Sequence, residues 1–562
     1  MSRRSRYVVP GPRAGSVLLG GGRSGARRRR GGARRPVGGG SRSHRGLWLL
    51  GVLVVVAAVV GGLFVWRSVA SGDRGRRAAA QQFLTGWTRR DWAAMWQALT
   101  PSARTAYPQA RFAAAYRSAD RTAGVRWVRV GKLGGEHDGE IAVPVSVGTA
   151  EFGTLRGTIS LPVSASGNGV GVSWDPSLRL PGLRRSERVH TRSGPRPRRG
   201  AILAADGTPL AATALGASIA GRVAPRPTGL ERIYDRRLGG RPSAELLFGT
   251  RVIAHAPKIP GRSLPTTISP RVMTAAAAAL GQQLGGVAVI RPRDGAVQAL
   301  AGLAVSAPQP PGSTFKIITV SAALQNGVAT PSSTYPIRTS ATLSGVELRN
   351  AGGEACGGSL TEAFTVSCNA VFAPLGAKVG ARRLVEMARA FGFDQQPNIP
   401  AAKPSSISPP SQLRDDLAVG AAAIGQDRDL ATPLEMATVG ATIALDGRRV
   451  QPRITTIDPL ISEQVITSKV AHQVRSMMIQ VVRSGTGTAA AIPGVQVAGK
   501  TGTAELRPNS ANPKDSDAWF VAFAPAQHPK VAVAVMLVGA GFGGTSAAPI
   551  ARHVLQAALA QS

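Results

Sequence analysis

Acidic residues are scarce in this chain of 562 residues: 30 Asp and Glu stand against 68 Lys and Arg, a formal net charge of +38. Cysteine is scarcer still, with only Cys356 and Cys368. Two thiols are too few for a Cys-rich zinc site, and no His-Glu-x-x-His occurs, so neither a metal nor a cofactor is expected. The charge excess would suit a nucleic-acid binder, but its distribution argues otherwise. Residues 1–45 hold 13 arginines and no acid; subtracting them leaves 55 basic against 30 acidic residues, a balance of +25. These are spread without an aromatic-interleaved patch, so nucleic acid is not an expected partner. The length allows two or three domains with real cores.

Long uncharged apolar runs are also rare. The Arg-, Gly- and Ser-rich tail over 1–45 reads as disordered. It is followed by Gly46 to Trp66, 21 uncharged and mostly apolar residues. That is enough to cross a hydrocarbon core of about 30 Å, with Trp48 and Trp66 at the two interfaces. The basic flank lies before the span, which predicts a cytoplasmic N-terminus and everything after Arg67 outside. A cleaved signal peptide is the plainer alternative, but the run is longer than an h-region and Ser68-Val69-Ala70 is a poor cleavage site.

Phe83, Leu84, Trp87, then Trp92, Met95, Trp96 and Leu99 recur at helical spacing and are broken by Thr100-Pro101-Ser102; a second helix runs near Gln109 to Ala119. Strand-like segments follow at 125–130, 140–147, 154–162 and 169–174. Helices followed by an antiparallel sheet predict an α+β unit over 78–184.

One stretch concentrates chemistry. Pro311-Gly312-Ser313-Thr314-Phe315-Lys316 opens an apolar segment closed by Asn326-Gly327, a helix stop. Lys316 is the single charged residue between Gly295 and Pro336. A helix apolar nearly all round is normally buried, and an unpaired buried ammonium is costly. A lysine kept there has a task, and activating Ser313 one turn away is the obvious one. The alternative is a lysine snorkelling to the surface along its methylenes.

Of nine lysines, only Lys316 has a serine three residues before it, and the one Lys-Thr-Gly is Lys500-Thr501-Gly502, continued by Thr503. Ser-x-Asn occurs at Ser166, Ser367 and Ser510, but only Ser367-Cys368-Asn369 lies between the other two motifs. Ser-x-x-Lys, Ser-x-Asn and Lys-Thr-Gly in that order resemble the signature of the penicillin-binding proteins. Arg198-Arg199-Gly200-Ala201-Ile202-Leu203 is similar to the start of the class B pedestal module. Gly425-Gln426 and Thr432-Pro433-Leu434-Glu435-Met436 match a further family segment, with Asp427 where the family has glycine. The region 78–184, with Trp174-Asp175-Pro176-Ser177-Leu178, is similar to the NTF2-like domain of low-affinity resistance transpeptidases.

The resemblance implies a multidomain α+β protein: tail 1–45, transmembrane helix 46–66, NTF2-like domain 78–184, pedestal 185–262 and a transpeptidase domain 263–562 with a central antiparallel sheet. It implies a D,D-transpeptidase that crosslinks peptidoglycan stem peptides through a serine acyl-enzyme and is acylated by β-lactams. Ser313 would be nucleophile and Lys316 base. Ser367 would bridge Lys316 and Lys500, and Asn369 would hold the peptide. Thr501 and Thr503 would take the terminal carboxylate, with Gly502 allowing close approach. Expected partners are the stem peptide on its lipid-linked precursor, β-lactams, the cytoplasmic membrane and a polytopic SEDS-type glycosyltransferase.

Rival readings have their own signals. A class A β-lactamase adds Glu-x-x-x-Asn between the second and third motifs, and none of Glu386, Glu435 or Glu463 has Asn four residues on. No Glu-Asp pair of a fused glycosyltransferase precedes Ser313. A D,D-carboxypeptidase, or a membrane-anchored sensor with little turnover, shares the motifs and stays open. Finally, Cys356 and Cys368 would both lie where oxidation is permitted, and the glycines around Cys356 allow it to fold back, so a disulfide is expected against the alternative of two buried thiols.

Overall fold

The computed structural model describes residues 73–560, apart from 167–168, 427, 507–511 and 513–514. The arginine tail, the apolar span 46–66 and Asp427 therefore lie outside the described residues. Among the described residues no helix is long and apolar enough to cross a membrane.

The first core is helical and then antiparallel. A helix over 73–89 is followed by Trp92–Gln97, Pro101–Ala106 and Gln109–Ala123. The helical pattern breaks after Gln97, and a new helix Pro101–Ala106 starts at once: Thr100 accepts the Ala103 N–H at 3.2 Å, and proline takes the first helical position. The sheet runs in the order Val125–Val130, Glu140–Thr149, Thr154–Ser166, Gly169–Val172. Ile141, Val143, Val145 and Val147 are buried in strict alternation, so one face of the sheet meets the helices. Trp87, Phe112, Tyr116 and Trp174 fill the space between. The Trp174 indole donates to the Tyr116 hydroxyl, which donates to the Leu178 carbonyl, both at 3.1 Å.

Residues 185–262 divide their apolar side chains between two cores. Strands Val189–Ser193, Ala244–Phe248 and Arg251–Ala256 form an antiparallel sheet whose Leu246, Phe248 and Ala256 join the first core. Ile202, Leu210, Leu230 and Leu238 instead join the core of the C-terminal half. Ile202–Leu203 also pairs in parallel with Leu264–Pro265, so backbone pairing crosses the boundary expected at 262. The apolar residues of this stretch are too few and too divided to bury one another.

The C-terminal half is built on five antiparallel strands: β1 (Gly285–Arg291), β2 (Ala296–Gly302), β3 (Ala498–Glu505), β4 (Ser516–Ala524) and β5 (Val531–Leu537), in the order β2-β1-β5-β4-β3. Both faces are buried. Val287, Val289, Phe520, Val533 and Val535 pack on the side of helices Pro270–Leu280 and Gly543–Leu559. Ala288, Ile290, Trp519, Val521 and Ala534 pack on the side of Lys316–Gln325, Pro433–Ala444 and Ser468–Ser484. Helices cover the sheet from both sides and leave β3 as its free edge. The last helix begins at Gly543, which lies flat on β3: a Cβ there would come within 2.3 Å of the Gly502 carbonyl oxygen.

Candidate active site

Ser313 sits on a 3-10 turn, Gly312–Phe315, that runs into the α-helix Lys316–Gln325. The expectation was the first turn of an α-helix. Three residues per turn bring Ser313 and Lys316 onto one line, tighter than α geometry would. The turn is pressed against β3. Gly312 adopts φ +52°, and a Cβ on it would lie 2.5 Å from the Thr503 carbonyl oxygen. Its N–H donates to the Gly425 carbonyl at 2.9 Å, and a Cβ on Gly425 would come within 2.2 Å of the Gly312 oxygen. The Gly425-Gln426 segment is thus a rigid backing for the serine turn, and only glycine fits at either contact.

Lys316 and Lys500 are both fully buried. Lys316 Nζ donates to the Ser367 carbonyl and to Asn369 Oδ1, each at 2.7 Å, with Ser367 Oγ at 3.5 Å. Lys500 Nζ donates to Ser367 Oγ at 2.8 Å and to the Thr501 carbonyl at 3.1 Å. All these acceptors are neutral oxygens. The Phe372 ring lies 5.4 Å from the Lys316 nitrogen and the Phe364 ring 5.5 Å from that of Lys500, which walls both amines off from water. Burial, and then the charge of Lys500, holds Lys316 well below the usual lysine range; burial brings Lys500 down to about 7.

This geometry suits a neutral Lys316. A neutral amine has two N–H groups, which the Ser367 carbonyl and Asn369 Oδ1 accept, leaving its lone pair for a proton from Ser313.

Ser367 is delivered between the lysines by local strain. Ser359 and Glu362 form a capping box at the start of Leu360–Thr365. The chain then reverses through Ser367 at φ +64°, a left-handed conformation costly for serine, before Asn369–Val379 begins. Cys368, inside this reversal, is bonded to Cys356 with Sγ–Sγ 2.13 Å.

Two of the expected site residues make contacts beyond the roles expected of them. Asn369 is engaged at both ends, since its Nδ2 also donates to the Arg349 carbonyl at 2.9 Å. It thereby orients Lys316, while the second hydrogen of its Nδ2 is left for a peptide carbonyl. Gly502 faces inward: a Cβ there would lie 2.8 Å from both the Pro311 oxygen and the Trp519 Cβ, so glycine serves the docking of the serine turn on β3. Thr501 is buried and shares a 2.6 Å hydroxyl contact with Thr486, whereas Thr503 is half-buried on the edge strand.

Sequence reasoning missed Thr486, Asn350, Phe364 and Phe372. Asn350 donates to the Arg338 and Glu354 carbonyls and accepts from Ala370 N–H, all at 2.8 Å, which pins the start of the Asn369 helix. Thr486 had a signal in Ser484-Gly485-Thr486-Gly487-Thr488, a turn cluster closing the helix Ser468–Ser484. The two phenylalanines had none, because in sequence they are ordinary core residues.

Residues 285–556 match the family model for the penicillin-binding protein transpeptidase domain. The chain is 37% identical over 401 residues to the peptidoglycan D,D-transpeptidase PbpA of Mycolicibacterium smegmatis, covering 59% of this chain and 79% of that one. It is 34% identical over 403 residues to PbpA of Mycobacterium tuberculosis, with the same coverage. Among solved structures, penicillin-binding protein A from M. tuberculosis as a ceftriaxone acyl-enzyme complex aligns with TM-score 0.56 and 30% identity, over 65% of this chain and 98% of that one.

Proposed function

This chain belongs to the class B penicillin-binding protein transpeptidases, and from that premise we propose how its own residues divide the work of a peptidoglycan D,D-transpeptidase that β-lactams acylate. Ser313 attacks the carbonyl of the D-Ala-D-Ala bond while Lys316 takes the hydroxyl proton. The acyl-enzyme forms as the terminal D-Ala leaves, and Ser367 passes a proton to the leaving amine. Lys500 keeps Ser367 oriented and supplies positive charge toward the terminal carboxylate, which Thr501 and Thr503 bind. An acceptor amine from a second stem peptide then resolves the ester. The Ser313 and Thr503 backbone N–H groups form the oxyanion site. The observation that carries this reading is Ser367 Oγ held between two buried lysines on separate elements.

The same reading extends to the rest of the chain. The 21-residue apolar run, with 13 arginines before it, supports a single-pass anchor with the bulk of the protein outside. The α+β arrangement over 73–183 supports an NTF2-like domain. The strands and short helices of 185–262 support a pedestal that could meet a polytopic SEDS-type glycosyltransferase delivering lipid-linked precursor. Labelled penicillin tests the core of the proposal: intact mass and peptide mapping place the adduct on Ser313, and Ser313→Ala abolishes labelling. An adduct on Ser367, or labelling that survives the substitution, overturns it.

A further inference from the structure

Away from the serine cleft, two segments distant in sequence bring arginines together. Arg126 comes from the first strand of the N-terminal sheet, beside Glu151 at the turn facing it. Arg236, Arg237, Arg241 and Arg262 come from the chain between the short helix Asp235–Gly239 and the start of the C-terminal half. Together they line a cavity of about 500 Å³. Five arginines line it against the single carboxylate of Glu151, which Arg241 already holds at 2.9 Å. The neighbouring Asp235 is drawn away to Arg199 at 2.8 Å.

The backbone carrying these side chains is fixed. Arg237 Nε donates to the Ser263 carbonyl at 3.1 Å, and Arg262 N–H to the Arg237 carbonyl at 2.8 Å. Gly240 adopts φ +62°, and a Cβ there would meet the Ile259 oxygen at 2.3 Å, so the two strands of chain cross in contact. Like charges held around one cavity repel until an anion enters.

We propose that this cavity binds a phosphate-bearing anion, namely the phosphodiester or diphosphate groups of an anionic polymer in the space outside the membrane. A lone carboxylate satisfies one guanidinium fork. A diphosphate or a run of phosphodiesters offers enough oxygens, at enough charge, for several forks at once. Arg76 pairs with Glu136 and Arg77 donates to the Gly134 carbonyl, so the hairpin near 134 sits at the start of the helix 73–89. At the other end of that helix Arg90 donates to the Val125 carbonyl, beside Arg126. The cavity therefore lies about 25 Å, one 17-residue helix at 1.5 Å per residue, from the start of that helix at Asp73. None of its lining belongs to the serine cleft, so the site stands or falls apart from the acylation chemistry.

Arginine footprinting on the full chain in detergent tests this while keeping the basic tail from confusing the result. Phenylglyoxal modification is read peptide by peptide, with inorganic pyrophosphate as probe. At pyrophosphate ten times its Kd, modification of Arg126, Arg236 and Arg262 should slow about tenfold while the exposed Arg383 is unaffected. Arg126→Glu with Arg236→Glu should abolish protection of Arg262, and Arg236→Gln alone should weaken it. Both variants should still be acylated by penicillin at the native rate, which shows that they fold. Equal protection at Arg383, or the same protection from chloride at matched ionic strength, overturns the site. A D-Ala-terminated stem peptide protecting as well as pyrophosphate overturns the phosphate assignment. Anionic lipid vesicles protecting better than soluble polyphosphate overturn the polymer as source.

Discussion

Between residues 73 and 183 the buried polar or charged side chain among the described residues is Thr100, whereas between Thr266 and Asp517 the interior holds Lys316, Glu435, Arg449, Arg475, Lys500 and Asp517. The first region is a core of the ordinary kind, in which Trp87, Phe112, Tyr116 and Trp174 contact one another edge-on or tilted and the buried Tyr116 hydroxyl is hydrogen-bonded. The second carries groups that burial disfavours. Glu435 is pushed up to about 7 by burial against the opposing charge of Arg449, and burial likewise raises Asp517. The difference separates parts of a fold that only hold shape from parts that hold reactive groups away from water. Stability given up in the second region buys the depressed lysines.

Replacing Lys316 should widen this contrast most. Lys316→Met keeps the volume and removes the base, so acylation by penicillin should fall by about 10²–10⁴-fold. Its Tm should stay the same or rise, because an apolar side chain replaces a buried amine that lacks an anionic partner. Stopped-flow acylation and calorimetry on the same sample check both halves. A fall in Tm of the size seen for core truncations would show that Lys316 holds structure.

Lys500→Met should give a smaller but pH-dependent signature. Folded, Lys500 titrates at about 7; unfolded, it returns to about 10.4. Between those values the unfolded chain binds more protons, so native stability rises with pH from about 7 toward 10, and the cost of burying the charge is fully present below 7. Lys500→Met should flatten that rise in a plot of Tm against pH. In the native chain the acylation rate should lose a contribution above about 7 as Lys500 loses its charge, and Lys500→Met should remove that limb.

Why the lysines could be read from sequence, and much around them could not, follows from the same physics. Lys316 and Lys500 are two of only nine lysines, and Ser313 and Ser367 stood out through their places in an ordered set of motifs. The five-strand sheet came with the family resemblance; β1, β4 and β5 are continuous apolar runs buried on both faces, as central strands are. The 3-10 turn was not legible, because Gly312 and Gly425 are required by a contact between segments about a hundred residues apart. The inward duty of Gly502 and the double engagement of Asn369 were hidden for the same reason: both depend on what lies across the cleft. The split of residues 185–262 between two cores was invisible because its short apolar runs say nothing about which neighbour covers them.

In the N-terminal core the expected effects reverse. Trp87→Ala removes a fully buried indole and should destabilise that region by about 3–5 kcal/mol, the usual cost of an aromatic truncation. Penicillin acylation of Ser313 should keep its native rate. Hydrogen exchange should show new opening over 80–183 with protection of β1 and β4 unchanged. Loss of acylation would mean that the two cores are coupled more strongly than their packing suggests.

The smallest effect should come from the disulfide, and it asks how local the second region is. Cys356 and Cys368 are 12 residues apart, and closing a loop of that length is worth about 3 kcal/mol in the chain-entropy model. The bond ties the strand Cys356–Ser359 to the reversal that holds Ser367 at φ +64°. Other ties hold the same reversal: Asn350 accepts from Ala370 N–H, and Lys316 donates to the Ser367 carbonyl. With those left in place, Cys356→Ser should not unfold the element. It should let Ser367 leave its left-handed conformation part of the time, lengthening the contact from Lys500. Acylation should therefore slow by a few-fold, and hydrogen exchange should rise over 354–370 while 80–183 stays protected. Lys500→Met and Cys356→Ser act on one hydrogen bond, so combined they should slow acylation by less than the product of their separate effects. Full multiplication in that double variant would show that the disulfide acts elsewhere than on Ser367.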